Sequence, residues 1–356
     1  MKIAIDTQTI LGQRSGFGFY VKNLVEGLKA VDYEDEFVLI SPETELDLST
    51  PQRFIWDQYI FPGQAKKNKV DILHQPCFSV PIFYHGKKVV TAHDIIPYIF
   101  PKFLPLASRL YFSKWMTFSY KYADHIITDS ESTKKDLIKY LKLPENKISV
   151  IYLAASKEFY PRRSEEITRI KSKYQITKKY FINVGTIEPR KNLLFLVEVF
   201  SLAVKLGIQE NMIIVGKKGW YYDELFTLVK KLNLQERVIF TGYVPDEDIP
   251  ILYSGATALT FTSIYEGFGL PVLEAMACGT PIISSDSSSL PEVVGDAGVL
   301  LSVKDKKTWV ENMVKISQNV ELTQQLSRKS IEQAKKFSWE KCAQETSQVY
   351  KQVYNS

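Results

Sequence analysis

The chain alternates between two kinds of segment, and that alternation limits its fold more than any other feature. Short aliphatic, β-branched runs occur at Lys2–Thr7, Phe37–Ser41, Asp71–Gln75, Lys88–His93, His125–Ser130 and Ile148–Leu153. They recur at Tyr180–Thr186, Met212–Gly216, Val238–Gly242, Ala258–Thr262 and Pro281–Asp286, and stretches of helical apolar spacing lie between most of them. Strands separated by helices cannot pair as hairpins. They form parallel sheets whose crossover helices cover both faces. In such sheets ligands sit outside the carboxyl ends of the strands. At about 150 residues per domain, 356 residues suggest two units. Ser156–Lys179 lacks a strand pattern, carries Pro161 and the charged run 162–166, and reads as the connection. Late helices are expected at about 305–319, 321–336 and 339–354.

Composition excludes several classes of protein. A chain that is 45% hydrophobic and 24% charged is an ordinary globular protein. Its net charge of +5 does not call for a nucleic-acid partner. Cys77, Cys278 and Cys342 form no CxxC pair and read as reduced thiols. Met1 leads directly into the strand-like KIAID, which leaves no room for a signal peptide. No apolar run approaches the roughly 20 residues needed to span a bilayer. A cytoplasmic location is the expectation.

Chemistry concentrates in residues 261–281, FTSIYEGFGLPVLEAMACGTP. A turn-rich loop from Ser263 to Gly269 leads into a short buried helix, with Pro271 suited to its first position and Gly279 just past its end. The helix N–H groups and positive dipole end then face whatever fills the loop, which makes an anion site. Glu266 and Glu274 flank it, about 12 Å apart if all eight residues were helical. Two carboxylates with amide donors between them suit a nucleotide-sugar. The same pattern also fits a Gly-Pro turn with two unrelated glutamates.

Other loops add candidates. After the strand at Tyr180, Glu188-Pro189-Arg190-Lys191-Asn192 puts two cations at a helix start, where they oppose the dipole. They make sense if a diphosphate lies there, Arg as a planar fork and Lys as a point charge; a solvated cationic loop is the alternative. Residues 8–18 hold Gly12, Gly16 and Gly18 and read as a phosphate-facing loop or as a permissive turn, with a helix from Phe19 to Val31. His93-Asp94 ends a strand before a Pro-containing loop. The histidine there can donate to a sugar hydroxyl or leaving phosphate, and the carboxylate can orient an acceptor; local hydrogen bonding at a strand end is the alternative. His74, His85 and His125 read as strand-end or surface residues. Asp246-Glu247-Asp248 reads as the acidic first turn of a helix over 246–254 rather than a metal site, so no metal or other cofactor is expected.

The segment Glu266-Gly-Phe-Gly-Leu-Pro-x-x-Glu274-Ala-x-Ala-x-Gly-x-Pro281 resembles the signature of the retaining glycosyltransferases of family 4, which have the GT-B fold. SGFGFYVKNL, VVTAHDIIPYIFP, GTIEPRKN, Gly242-Tyr243-Val244 and FSWEKCAQETSQVYKQVY resemble further segments of that family. The likeness is greatest to its bacterial branch, which includes mannosyltransferases of surface-polysaccharide assembly. The resemblance implies an α/β fold of two Rossmann-like parallel-sheet domains facing across a cleft. The first, residues 1–160 plus about 339–356, would take the acceptor; the second, 161–338, would bind the nucleotide-sugar.

It also implies roles. His93, Arg190, Lys191 and Glu266 would be catalytic. Gly16, Gly18, Gly216, Val244, Phe268, Gly269, Leu270 and Glu274 would bind the donor, a GDP- or UDP-hexose. Asp94 would serve the acceptor, a glycan or a polyprenyl-diphosphate-linked saccharide. Rival functions are a nucleotide-sugar 2-epimerase on a similar fold and a non-catalytic sugar-nucleotide sensor. Finally, residues 66–122 hold nine Lys/Arg against Asp71 and Asp94, a balance of +7. Within them 103–122 mixes aromatics with Arg109, Lys114 and Lys121. That fits an interfacial helix on an anionic membrane surface, or a core helix with a basic solvated face.

Overall fold

The alternating pattern folds into two sheets, each of six parallel strands. The structure, a computed structural model, describes residues 1–11, 16–31, 34–44, 47–103, 106–217, 219 and 222–356; Gly12 of the glycine-rich stretch and residues 104–105 of the basic aromatic stretch lie outside them. Contacts divide the chain into two compact units, residues 1–154 with 338–356, and residues 155–337.

The first unit contains β1 (Lys2–Asp6), β2 (Glu36–Ile40), β3 (Ile72–Gln75), β4 (Lys87–Ala92), β5 (His125–Thr128) and β6 (Ile148–Val150) in the order β2-β1-β3-β4-β5-β6. Register is set by the buried faces: Ile3 lies opposite Ile72, and His74 opposite Val89. Ile3, Ile5, Leu73, Val90 and Ile126 are all buried, as expected of strands covered on both sides. The helix Gly16–Val31 starts three residues before the expected Phe19, so Gly16 and Gly18 form its first turn rather than a loop. Gly18 lies so close to the preceding turn that a Cβ there would come within 2.1 Å of the Thr9 carbonyl oxygen.

The last helix, Trp339–Asn355, returns to this unit and packs on Gly16–Val31. Ser338 caps it, accepting the Lys341 N–H. Lys87 Nζ donates to the carbonyls of Val353 and Tyr354, both at 2.7 Å. Tyr350 Oη lies 2.6 Å from His74 Nδ1, and His74 Nε2 lies 3.0 Å from Thr91 Oγ1. His74 is therefore a core residue that ties the last helix to β3, not the strand-end or surface residue expected. Burial pulls its imidazole down to about 3, so it is neutral. Tyr350→Phe strands a buried ring nitrogen. It should cost about 1–3 kcal/mol of unfolding free energy in urea titrations.

The second unit contains β7 (Tyr180–Val184), β8 (Asn211–Val215), β9 (Val238–Gly242), β10 (Ala258–Phe261), β11 (Ile282–Ser285) and β12 (Val299–Leu301), ordered β12-β11-β10-β7-β8-β9. The three residues of β12 are too few to show in the sequence pattern. Phe181, Leu196, Phe200, Ile214, Trp309 and Met313 share one core. Residues after Ala154 already pack here, where the Arg162 N–H donates to Ser254 Oγ at 3.1 Å. The helix expected over 246–254 spans only Ile249–Ser254, because 245–248 form a turn closed by the Asp248 N–H on the Pro245 carbonyl. Asp248 is buried and accepts from Lys173 Nζ at 2.5 Å and Tyr174 Oη at 2.6 Å, so it holds neighbouring side chains rather than forming an acidic first turn.

Candidate active site

In the second unit, consecutive strands run β7-β8-β9 to one side and β10-β11-β12 to the other, so the order reverses at β7 and β10. Loops leaving such neighbours separate at their carboxyl ends, which is where open α/β sheets bind ligands. The loop after β7 carries Arg190 and Lys191 on a single 3-10 turn, Pro189–Lys191, and Asn192 then takes a left-handed conformation to enter the helix Leu193–Lys205. The loop after β10 carries Glu266. The two loops are stitched together: the Ile264 N–H donates to the Arg190 carbonyl at 2.9 Å, and Thr262 Oγ1 to the Lys191 carbonyl at 2.9 Å.

This places Glu266 on both cations, with Lys191 Nζ at 2.6 Å from Oε1 and Arg190 Nη1 at 2.7 Å from Oε2. Arg190 also reaches Glu188 Oε1 at 2.5 Å and the Tyr265 carbonyl at 2.7 Å. The cations expected to await an anion are thus already held by two carboxylates, in a fixed array. Burial works against the charge of Glu266, but Lys191 and Arg190 outweigh it and hold the carboxyl at about 2. Burial pulls the Lys191 ammonium below its usual range, and Glu266 opposes that fall.

Glycine makes the close packing possible. Gly216 follows β8 at φ +148°, and a Cβ there would lie 2.0 Å from the Gly185 carbonyl oxygen. A Cβ on Gly185, which follows β7, would press on the Lys191 stem at 3.1 Å.

The helix Leu270–Ala277 begins behind Gly269, whose φ of +107° turns the loop into it. Pro271 sits in its first turn, and Gly279, at φ +75°, lies just past its end. Ser289 Oγ donates to the carbonyls of Glu266 (3.0 Å) and Phe268 (2.8 Å), while the Glu266 N–H donates to Ser288 Oγ at 2.7 Å. Those serines follow β11, and no pattern in the sequence singles them out. Phe268 is buried edge-on against Phe337 at 5.9 Å. Glu274 projects from the helix, partly exposed, with Tyr253 Oη at 3.5 Å. Burial pushes its carboxyl up to about 7; the Tyr253 hydroxyl opposes this and Asp246 adds to it. Val244 is buried just beyond β9, which ends at Gly242 with φ +69°.

In the first unit, His93 follows β4. Its Nδ1 lies 2.5 Å from Oδ2 of Asp129, beyond β5. Nε2 lies 2.9 Å from the Pro76 carbonyl and 3.7 Å from Cys77 Sγ. Both ring nitrogens thus face acceptors. Burial disfavours the imidazolium, but Asp129 outweighs it and raises the pKa well above the usual imidazole range. Asp94 accepts the Ile96 N–H at 2.8 Å, at the start of the short helix Ile96–Ile99. Gly16 is exposed, with open space around its α-carbon. Among the described residues, no three His, Cys, Asp or Glu side chains are grouped to hold a metal ion.

Comparison with known proteins gives the family and the fold. Residues 164–336 match the model of glycosyl transferases group 1, and residues 15–158 that of glycosyltransferase family 4. The chain is 35% identical over 282 residues to O-antigen chain mannosyltransferase B of Escherichia coli, covering 79% of this chain and 74% of that one. It is 29% identical to the serotype-specific mannosyltransferase WbdA of Escherichia coli over 78% of this chain, but spans only 34% of that relative's length. Among solved structures, Anabaena HepE in complex with UDP and glucose superposes with a TM-score of 0.76 at 16% identity, covering 99% of this chain and 100% of that one.

Proposed function

This chain belongs to the group 1 and family 4 glycosyltransferases, and from that premise we propose that it is a retaining hexosyltransferase of cell-surface polysaccharide assembly. The donor is a nucleotide-sugar, GDP-mannose first and UDP-hexoses second. The acceptor is a glycan or a polyprenyl-diphosphate-linked saccharide at the inner face of the cell membrane, which the enzyme meets as a peripheral, cytoplasmic protein. The names of the Escherichia coli relatives favour mannose.

One observation carries the reading: Arg190, Lys191 and Glu266 gathered where the strand order reverses, at the loop that enters the helix Leu270–Ala277. The reaction breaks the bond from the anomeric carbon to the diphosphate, and negative charge grows on the leaving group. Arg190, Lys191 and the amides of Phe268, Gly269 and Leu270 stabilise it as fixed donors. Glu266 holds both cations in place and accepts from sugar hydroxyls. Glu274 takes the ribose hydroxyls, and the backbone around Gly216 and Val244 takes the nucleoside. For the first unit taken by itself, the proposed roles are phosphate binding at Gly16 and Gly18, a sugar contact at His93 and acceptor orientation at Asp94. No divalent cation takes part, a reading supported by the commitment of Asp248 to Lys173 and Tyr174.

A thermal-shift screen with free GDP, UDP and ADP identifies the base, since a ligand that binds the native state raises its apparent stability. Transfer from the matching mannose or glucose donor, in EDTA, then tests the chemistry. Product with the donor's anomeric configuration is the expected result. Donor consumption without acceptor would assign an epimerase, and saturable binding with no turnover on a broad acceptor panel would assign a sensor.

Glu274 predicts a pH dependence. With its pKa near 7 in the free protein, the carboxyl is protonated at lower pH, and only the ionised form is purely an acceptor. Donor kcat/KM should therefore fall about tenfold per pH unit well below 7 and level off above it. In Glu274→Gln it should be low and lose that slope.

A further inference from the structure

The loops that follow β4 and β5 meet at one pair of side chains, His93 and Asp129. Asp129 lies between β5 and the helix Glu131–Leu141, and the backbone is pinned on both sides of it. The Ile151 N–H donates to the Thr128 carbonyl at 2.8 Å, and Ser130 caps the helix by accepting the Thr133 N–H at 3.1 Å. Thr133 Oγ1 donates to the His93 carbonyl at 3.3 Å, so the same turn holds the His93 backbone. Asp129 is only 2% exposed. Its Oδ2 meets His93 Nδ1, its Oδ1 is buried without a hydrogen-bond partner, and no Lys or Arg among the described residues lies within ion-pair distance.

Counting protons leaves one arrangement for this pair. The Pro76 carbonyl can only accept, so Nε2, 2.9 Å away, must carry a proton. Nδ1 and Oδ2, 2.5 Å apart, need a second proton between them, because two lone pairs cannot face each other at that distance. Imidazole is the stronger base, with an ordinary pKa of about 6.5 against about 3.9 for aspartate, so that proton belongs to the ring. A buried carboxylate with no other cation beside it requires the same charge. The rings of Phe17 and Tyr20 pack against His93 with centroids at 5.1 and 4.6 Å, a range in which aromatic rings attract a cation. The other titratable groups near the pair are Cys77 after β3, His74 on β3, Tyr20 on the helix Gly16–Val31, Cys342 on the last helix and Asp94, which accepts the Ile96 N–H. Burial raises both thiols and the phenol and lowers His74, so those four are neutral.

We propose that Asp129 is the positioning residue of His93: it fixes the ring as an imidazolium, so that His93 meets the sugar only as a donor and never as a base. The inference rests on the sugar contact proposed for His93. It limits the ligand atom there to an acceptor, a hydroxyl or phosphate oxygen, that shares or takes over the Nε2–H from the Pro76 carbonyl. No proton leaves the ring, and the bond formed is the stronger, charge-assisted kind.

The test separates charge from orientation. In Asp129→Asn the introduced amide can donate to Nδ1 while Nε2 keeps its proton and its carbonyl, so the ring stays in place but is neutral. The chain has four histidines, and NMR of protein labelled with nitrogen-15 histidine reads the protonation of each ring nitrogen. At pH 8 wild type should show an imidazolium signal that vanishes in His93→Gln, and Asp129→Asn should show a neutral His93 protonated at Nε2. Transfer is measured in parallel as the ratio of variant to wild-type kcat/KM, which cancels the pH dependence of Glu274. A raised histidine pKa keeps the charge until pH rises through the raised value, so wild type holds it at pH 8 and Asp129→Asn does not. The ratio for Asp129→Asn should be about tenfold below unity at pH 8, the difference between a charged and a neutral donor, and should return toward unity below pH 6 as the ring regains its proton. A neutral His93 in wild type at pH 8 would overturn the proposal whatever the activity. So would a ratio that does not change with pH, which would mark Asp129 as merely structural. An imidazolium in wild type with His93→Gln fully active would overturn the sugar contact and with it the role given to Asp129. The NMR measurement needs no substrate, so a charged ring in a wild type that transfers no sugar would overturn the proposed function instead.

Discussion

Arg190→Ala should lower kcat by roughly 10²–10³, the scale on which one preorganised transition-state donor is lost. The guanidinium is fixed from three sides, by Glu188, Glu266 and the Tyr265 carbonyl. It therefore needs no reorganisation when charge develops on the leaving diphosphate, and its loss should act on kcat far more than on donor KM. Folding should survive, because Glu266 keeps Lys191. Arg190→Lys restores a charge but not a fork able to span two carboxylates, so its kcat should fall between those of wild type and alanine. A kcat within threefold of wild type for the alanine variant would remove Arg190 from the reaction.

Glu266→Gln should produce the largest loss of stability among the site variants, about 3–5 kcal/mol, since it leaves the buried Lys191 ammonium without its carboxylate. pH gives this loss a signature. Glu266 has a pKa of about 2 in the folded protein against an ordinary 4.5. A depressed carboxylate contributes stability that is fully present above about 4.5 and is lost as pH falls toward 2. The gap between wild type and variant, read from urea midpoints, should therefore be widest near neutrality and shrink in acid. It should shrink in base too. The Lys191 pKa lies below its unfolded value, and without Glu266 it falls further, so the variant gains stability with rising pH as the lysine sheds its proton. Glu266→Gln/Lys191→Met should recover much of the loss at pH 7, because it removes the stranded charge as well. A gap that does not change with pH would mean that the ion pair does not hold the loops together.

The sequence by itself determined whatever depends on neighbours a few residues apart. Aliphatic runs alternating with helical spacing gave two parallel sheets, because no other arrangement covers both faces of such strands. Gly269, Pro271 and Gly279 marked the ends of one helix, since φ preferences and a missing N–H act locally. Likeness of the loops after β7 and β10 to known motifs supplied the candidate residues. Tertiary structure decided which of these meet. Glu266 and Lys191 are 75 positions apart, and His93 and Asp129 are 36 apart. Each pair forms only because the sheet order sets two loops side by side, and strand order leaves no periodic trace in the chain. The same reason hid the serine brace at Ser288 and Ser289, the core position of His74 and the carboxylates already held by Arg190.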